Sequence, residues 1–179
     1  MLLIMSNRIG ILYATVDGQT LKICNKLVSI LQKNNINVEL FSIDDFNEDV
    51  ASFNKFIIGS SIRYGVHDEK IIKFIKANKS KLDVIKTAFF SVNLVARKPE
   101  KNKPDTNPYV IKFFKNIDWK PTIVEVFSGM LDYKKYKTFD RIMIQFIMWM
   151  TKGPTDKNTK IEYTDWDKVS EFGKLLSTF

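Results

Sequence analysis

Five short, β-rich apolar runs recur along the chain, and segments with the apolar spacing of amphipathic helices lie among them. Residues 8–14 (RIGILYA), 38–43, 55–61 (KFIIGSS), 86–92 (KTAFFSV) and 122–128 (TIVEVFS) read as strands. Leu21, Cys24, Leu27, Val28 and Leu31 share one helix face, and Ile71, Ile72 and Ile75 mark a second, with Phe74 alongside. Tyr109, Val110, Phe113, Phe114 and Ile117 line a short helix that Pro108 is placed to start. Val169, Phe172, Leu175 and Leu176 form the last helix face, with Thr164 as the expected cap. Strands that are apolar throughout bury both faces, so the pattern predicts an α/β fold. The expected architecture is a doubly wound, five-stranded parallel sheet with helices on both faces. At 179 residues, the chain reads as a single domain over 1–179 with a short extension at 1–7.

One stretch exceeds such a minimal unit. Strand five and the last helix are separated by about 35 residues, where a connection of about 2 to 6 is usual. This long insertion, at about 130–163, opens with a basic-aromatic run of Tyr133, Lys134, Lys135, Tyr136 and Lys137. An apolar helix candidate follows at 139–150 (FDRIMIQFIMWM), with Thr138, Arg141 and Gln145 confined to one narrow stripe. Twelve helical residues extend about 18 Å, well short of the roughly 30 Å of a bilayer core, so this helix does not span. Two readings remain open. The helix is buried in the domain's own core, or it lies on a bilayer or walls an apolar pocket. In the second reading Phe146 and Trp149 make apolar contact while Lys134, Lys135 and Lys137 meet head groups.

Composition narrows the partners. Lys and Arg number 28 against 20 Asp and Glu, a net charge of +8 that favours anionic ligands or surfaces. The basic residues carry no motif of a nucleic-acid-binding module, and nucleic acid is not an expected partner. A single cysteine, Cys24, excludes an intramolecular disulfide and reads as a small core residue. A single histidine, His67, excludes the His-pair zinc motifs, and no metal is expected. The apolar start is too short for a signal peptide, so the expected location is cytoplasmic.

The first strand-to-helix junction holds Thr15, Val16, Asp17, Gly18, Gln19 and Thr20. Backbone N–H groups around a glycine turn, two hydroxyls and a helix N-terminus are suited to a phosphate, although neither a Walker loop nor a GxGxxG fingerprint is present. Residues 13–20 (YATVDGQT) resemble the FMN-phosphate loop of flavodoxins. Residues 60–65 (SSIRYG), 91–101 (SVNLVARKPEK) and 163–166 (YTDW) are more specific. They resemble the menaquinone-dependent protoporphyrinogen IX dehydrogenases of bacterial haem synthesis, a flavodoxin-like family, and the similarity runs from about Ile9 to Leu176.

The resemblance implies non-covalent FMN, with its phosphate on residues 15–20. The ring would lie between Ser60, Ser61, Ile62, Arg63, Tyr64 and Gly65 on one side and Ser91, Val92, Asn93 and Leu94 on the other. Tyr64 would stack near the ring, and Asn93 would bond its polar edge. Arg97, Lys98 and Lys101, with Lys103, are either a solvated face, cations near the flavin, or partners for the propionates of the substrate. His67 and Arg97 are the candidate catalytic residues; the ordinary reading of His67 is an exposed loop residue. The implied reaction oxidises protoporphyrinogen IX to protoporphyrin IX in three turnovers, with menaquinone or ubiquinone as acceptor. The protein would act peripherally at the cytoplasmic face of the membrane. The alternatives are a flavodoxin-type electron carrier, disfavoured by the +8 charge, and an NAD(P)H:quinone reductase.

Overall fold

The computed structural model describes residues 8–179; the extension expected at 1–7 lies outside the described residues. The elements in order are β1 (Arg8–Ala14), α1 (Gln19–Lys33), β2 (Asn37–Ser42), β3 (Lys55–Arg63), β4 (Val66–His67), α2 (Glu69–Leu82) and β5 (Lys86–Asn93). Then come α3 (Pro108–Asn116), β6 (Ile123–Ser128), β7 (Met130–Asp132), α4 (Thr138–Met150), β8 (Lys160–Glu162) and α5 (Trp166–Thr178).

Five strands pair in parallel in the order β2-β1-β3-β5-β6, the doubly wound arrangement that the alternation predicts. Successive strand side chains point to opposite faces, which is why the central strands carry unbroken apolar runs. Ile9, Ile11, Ile57 and Phe90 meet Ile23, Leu27, Val169 and Phe172 of α1 and α5. Leu12, Phe56, Ile58 and Phe89 meet Ile71, Ile75 and Phe113 of α2 and α3 on the other side. Asn107 caps α3 by accepting from the N–H groups of Tyr109 and Val110, and Pro108 takes the first helical position, as expected.

Three details depart from the sequence reading. First, β3 runs on to Arg63 and turns back into β4, pairing Ile62 with His67 and Arg63 with Val66. Tyr64 at φ 52 and Gly65 at φ 78 give this hairpin the two consecutive positive φ values of a type I′ turn. Second, α5 is capped by Asp165, whose carboxylate accepts from the N–H groups of Asp167 and Lys168, and not by Thr164. The Thr164 hydroxyl is committed elsewhere: it donates to Ser128 O at 2.8 Å and accepts from Gln19 Nε2 at 2.8 Å. Third, the insertion builds a small core of its own. β7 and β8 pair antiparallel at its base, and Leu131, Tyr133, Tyr136 and Met148 pack together above them.

Candidate functional site

From β1 the chain moves outward to β2 and then crosses back to β3 on the other side, so the winding direction reverses beside β1. Such a reversal leaves a crevice at the carboxyl ends of the strands, where the connecting chains diverge. The residues that follow β1, β3 and β5 meet there, and α4 of the insertion covers them.

The loop after β1 forms the first wall. Gly18 is the N-cap of α1 at φ 86, a left-handed conformation in which side chains are strained, and its N–H donates to Thr15 Oγ1 at 3.1 Å. No side chain caps α1 and no acid occupies its first turn, so its leading N–H groups and positive dipole end are left for an external acceptor. The Thr20 hydroxyl is buried without a partner, and so is Gln19 Oε1, while Gln19 Nε2 is anchored to Glu162 Oε1 at 2.8 Å. A buried, unpaired hydroxyl costs about 1 to 3 kcal/mol unless a ligand completes it. An open helix start beside that hydroxyl fits a phosphate group.

The β3–β4 hairpin forms the second wall. Arg63 Nη2 reaches both carboxylate oxygens of Asp17, at 2.9 and 3.0 Å, and so joins the hairpin to the loop after β1. Burial pushes the Asp17 carboxyl up from its ordinary value, with Arg63 opposing the shift. The Arg63 guanidinium also lies 5.7 Å from the ring centroid of Tyr136. At the hairpin tip the Tyr64 hydroxyl donates to Asp140 in the first turn of α4, and this hydrogen bond pushes the Tyr64 phenol up. The tip is therefore held to the insertion.

The end of β5 forms the third wall, lined by Val92, Asn93, Leu94 and Val95. Asn93, the expected partner of a ligand's polar edge, lines the cleft with most of its amide already bonded within the protein. Its Oδ1 accepts from Ala96 N at 3.0 Å and Asn107 Nδ2 at 3.2 Å, and its Nδ2 donates to Ser91 Oγ at 3.1 Å. Ser60 and Ser91, both expected at the ring, are fully buried beneath the cleft. Ser60 Oγ accepts from Asp68 N and donates to Ser61 O, both at 3.3 Å. Ser61, Ile62, Gly65, Thr15 and Thr20 do line the cleft, whereas Val16 points to solvent.

The roof divides α4 into two faces. Ile144, Ile147 and Met148 face the cleft, beside Tyr136 and Met130. Phe146 and Trp149 stack on each other at 6.0 Å on the outer face. They do not line the cleft, so the expected contact of these two residues with a ligand inside it is corrected. Tyr109, Tyr136, Ile144, Ile147 and Met148 are cleft residues that the sequence reading missed. The i, i+4 pair of Ile144 and Met148 was a usable signal, hidden because the opposite face is equally apolar.

Of the basic residues, Arg97 takes a role other than those expected. Arg97 donates from Nη1 to Leu94 O at 2.9 Å, and from Nη2 to Thr151 Oγ1 at 2.7 Å and Thr151 O at 3.3 Å. It thus ties the turn Leu94–Arg97 to the C-terminal end of α4, where a cation also meets the negative end of the helix dipole. Arg97, Lys98 and Lys101 do not line the cleft.

His67 is not an exposed loop residue. It is 4% exposed, and its ring lies 5.4 Å from that of Phe89 and 4.6 Å from that of Phe113. Burial pushes its pKa down to about 3, and it does not line the cleft, so it is no proton acceptor for a ligand there. The unfolded chain binds this proton at about 6.5, more readily than the folded one. Stability is therefore complete above pH 6.5 and falls as pH drops from there towards 3. Urea unfolding between pH 7.5 and 5 is expected to show this decline in the wild type and to flatten it in His67→Gln. Parallel curves for the two proteins would remove His67 as its source.

Comparison with known proteins gives three results. A family model described as a flavodoxin domain matches residues 10–158. The "Protoporphyrinogen IX dehydrogenase [quinone]" of Escherichia coli K12 is 40% identical over 168 residues, covering 93% of each chain. The protein of the same name from Leishmania major is 42% identical over 163 residues, covering 90% of this chain and 71% of that one. Among solved structures, flavodoxin 1 from Bacillus cereus superposes with a TM-score of 0.57 at 14% identity, over 96% of this chain and 99% of that one.

Proposed function

Since the chain belongs to the flavodoxin-domain family, and within it to the quinone-dependent protoporphyrinogen IX dehydrogenases, we propose that it oxidises protoporphyrinogen IX to protoporphyrin IX. The electron acceptor is a respiratory quinone, menaquinone or ubiquinone, and the reaction belongs to haem biosynthesis. The observation that carries this reading is the 40% identity over 93% of both chains.

The cofactor is a flavin, and we read it as FMN. The open first turn of α1 and the unpartnered Thr20 hydroxyl support a terminal phosphate at that position. When bound, the flavin supplies the two-electron redox chemistry that links a reduced substrate to a quinone. The chain's own share is positional. Thr15, Thr20 and the start of α1 would hold the phosphate, while Arg63 and Asp17 lock together the two loops beside that position. Ile62 to Gly65 and Val92 to Val95, which line the cleft, would flank the ring, and Ile144, Ile147 and Met148 would keep water from it.

The same reading sets the protein peripherally on the cytoplasmic face of the membrane. Among the described residues no helix is long and apolar enough to cross a membrane. The outer face of α4, with exposed Lys134, Lys135 and Lys137 beside it, supports surface contact with anionic lipid.

An anaerobic assay tests the reaction. Porphyrin fluorescence is expected to rise continuously when protoporphyrinogen IX and a menaquinone analogue are both supplied, and to stall within one turnover without the quinone. No porphyrin with the quinone present, together with bleaching of the flavin by NADPH, would establish the NAD(P)H:quinone reductase instead.

A further inference from the structure

Beneath the cleft, four buried polar side chains from three separate elements form one connected set. His67 of β4 bonds Ser91 Oγ through Nε2 at 2.9 Å. The same Ser91 Oγ accepts from Asn93 Nδ2 at 3.1 Å. Asn93 Oδ1 in turn accepts from Ala96 N at 3.0 Å and from Asn107 Nδ2 at 3.2 Å. Asn107, fully buried, caps α3 and donates also to Lys101 O at 2.8 Å. None of these contacts is needed to close the sheet: Ser91 already pairs with Ser60 on one side and Val126 on the other through its backbone. What the set controls is the path of the chain as it leaves β5, where Val92, Leu94 and Val95 line the cleft.

The chemistry of the set is directional. Asn93 presents its donor to Ser91 and its acceptor to Ala96 N and Asn107 Nδ2, and an amide flipped by half a turn would turn its NH2 against those two donors and lose both bonds. Ser91 Oγ, having accepted from Asn93, retains a proton and a second lone pair, so it meets His67 Nε2 in either neutral tautomer. The imidazole packs edge-on against the stacked pair of Phe89 and Phe113, so its nitrogen has little freedom to turn away. The hydrogen bond of the histidine therefore holds the Ser91 rotamer, Ser91 Oγ anchors one end of the Asn93 amide while Ala96 N and Asn107 Nδ2 fix the other, and the anchored amide holds the turn Leu94–Arg97.

We propose that His67 is a positioning residue of the flavin site, acting through Ser91 and Asn93 on the cleft wall formed by Val92 to Val95. The proposal rests on the reading of the cleft as the flavin site, and it assigns His67 no contact with flavin or substrate.

The test compares His67→Phe, His67→Gln, His67→Asn, Ser91→Ala and the double variant His67→Phe/Ser91→Ala in the full chain. FMN affinity is measured by fluorescence titration, and exchange of the Ala96 amide by hydrogen exchange without flavin. His67→Phe and Ser91→Ala are each expected to weaken FMN binding about tenfold and to speed Ala96 exchange by a similar factor, with the double variant no worse than either. Glutamine, whose terminal amide reaches the place of Nε2, is expected to restore both readouts, and asparagine, which reaches only the place of Nδ1, neither. A generic packing defect would instead give additive losses without selective rescue. Additive losses, or wild-type affinity and Ala96 exchange in folded His67→Phe, overturn the proposal. If His67→Phe does not fold, Ser91→Ala alone carries the test, because its side chain does not line the cleft and its loss of affinity has to be indirect. A wild-type chain that binds no FMN overturns the flavin reading and this proposal with it; wild-type binding with unmoved variants overturns this proposal alone.

Discussion

Gly18→Val is expected to weaken FMN binding by at least about a hundredfold, or roughly 2.7 kcal/mol. Two effects add. At φ 86 a β-branched residue is strained, and forcing an L side chain into this region costs about 1 to 2 kcal/mol. The second effect is access, because a phosphate has to approach the N–H groups at the start of α1, and the isopropyl group stands over them. Crowding within the protein is not the cause, since a Cβ placed on Gly18 meets nothing within 4 Å. The fold should therefore survive the substitution. Gly18→Asn separates the two effects, because asparagine tolerates the left-handed region yet still adds a side chain, and its affinity is expected to lie between those of glycine and valine. Wild-type FMN affinity in a folded Gly18→Val protein would move the phosphate away from this loop.

Phe146→Ser/Trp149→Ser is expected to lower partition onto anionic liposomes at least about a hundredfold and to leave FMN bound. Phe139, Ile142, Phe146 and Trp149 are 69%, 59%, 51% and 69% exposed, and they recur at the spacing of one helix face. These values decide between the two readings of 139–150, because a core helix would have buried that face. Moving one large apolar side chain out of water is worth about 1.5 to 3 kcal/mol, so losing two such anchors more than accounts for the expected change. Stability should change little, because the truncated atoms contact mainly solvent and each other. Liposome sedimentation checks the first expectation and urea unfolding the second. Unchanged sedimentation with anionic vesicles would take this face off the membrane, and loss of folding would return the helix to the core.

The sequence by itself determined the layers of this protein and the place of the cleft. Its strands are apolar on both faces because both faces are covered, and that signature is local enough to read from residues such as Ile9 to Leu12 and Phe56 to Ile58. Thr15, Asp17, Gln19 and Thr20 were legible as cleft residues for the same reason, since a strand, a glycine turn and a helix start lie within a few residues of one another. The inner and outer faces of α4 were not legible. Nine of the 13 residues of that helix are apolar and spread over most of its circumference, so periodicity does not tell the cleft face from the outer face, and only packing against the cleft separates Ile144 and Met148 from Phe146 and Trp149. Arg97, His67 and Thr164 were legible as chemistry but not as position. Arg97 meets Thr151, 54 residues away; Gln19 meets Thr164, 145 residues away; and His67 meets Ser91 because β4 folds back along β3. A side chain's donors and charge are properties of the residue, but their partner is whatever the closed fold brings within about 3 Å, and that the tertiary structure alone decides.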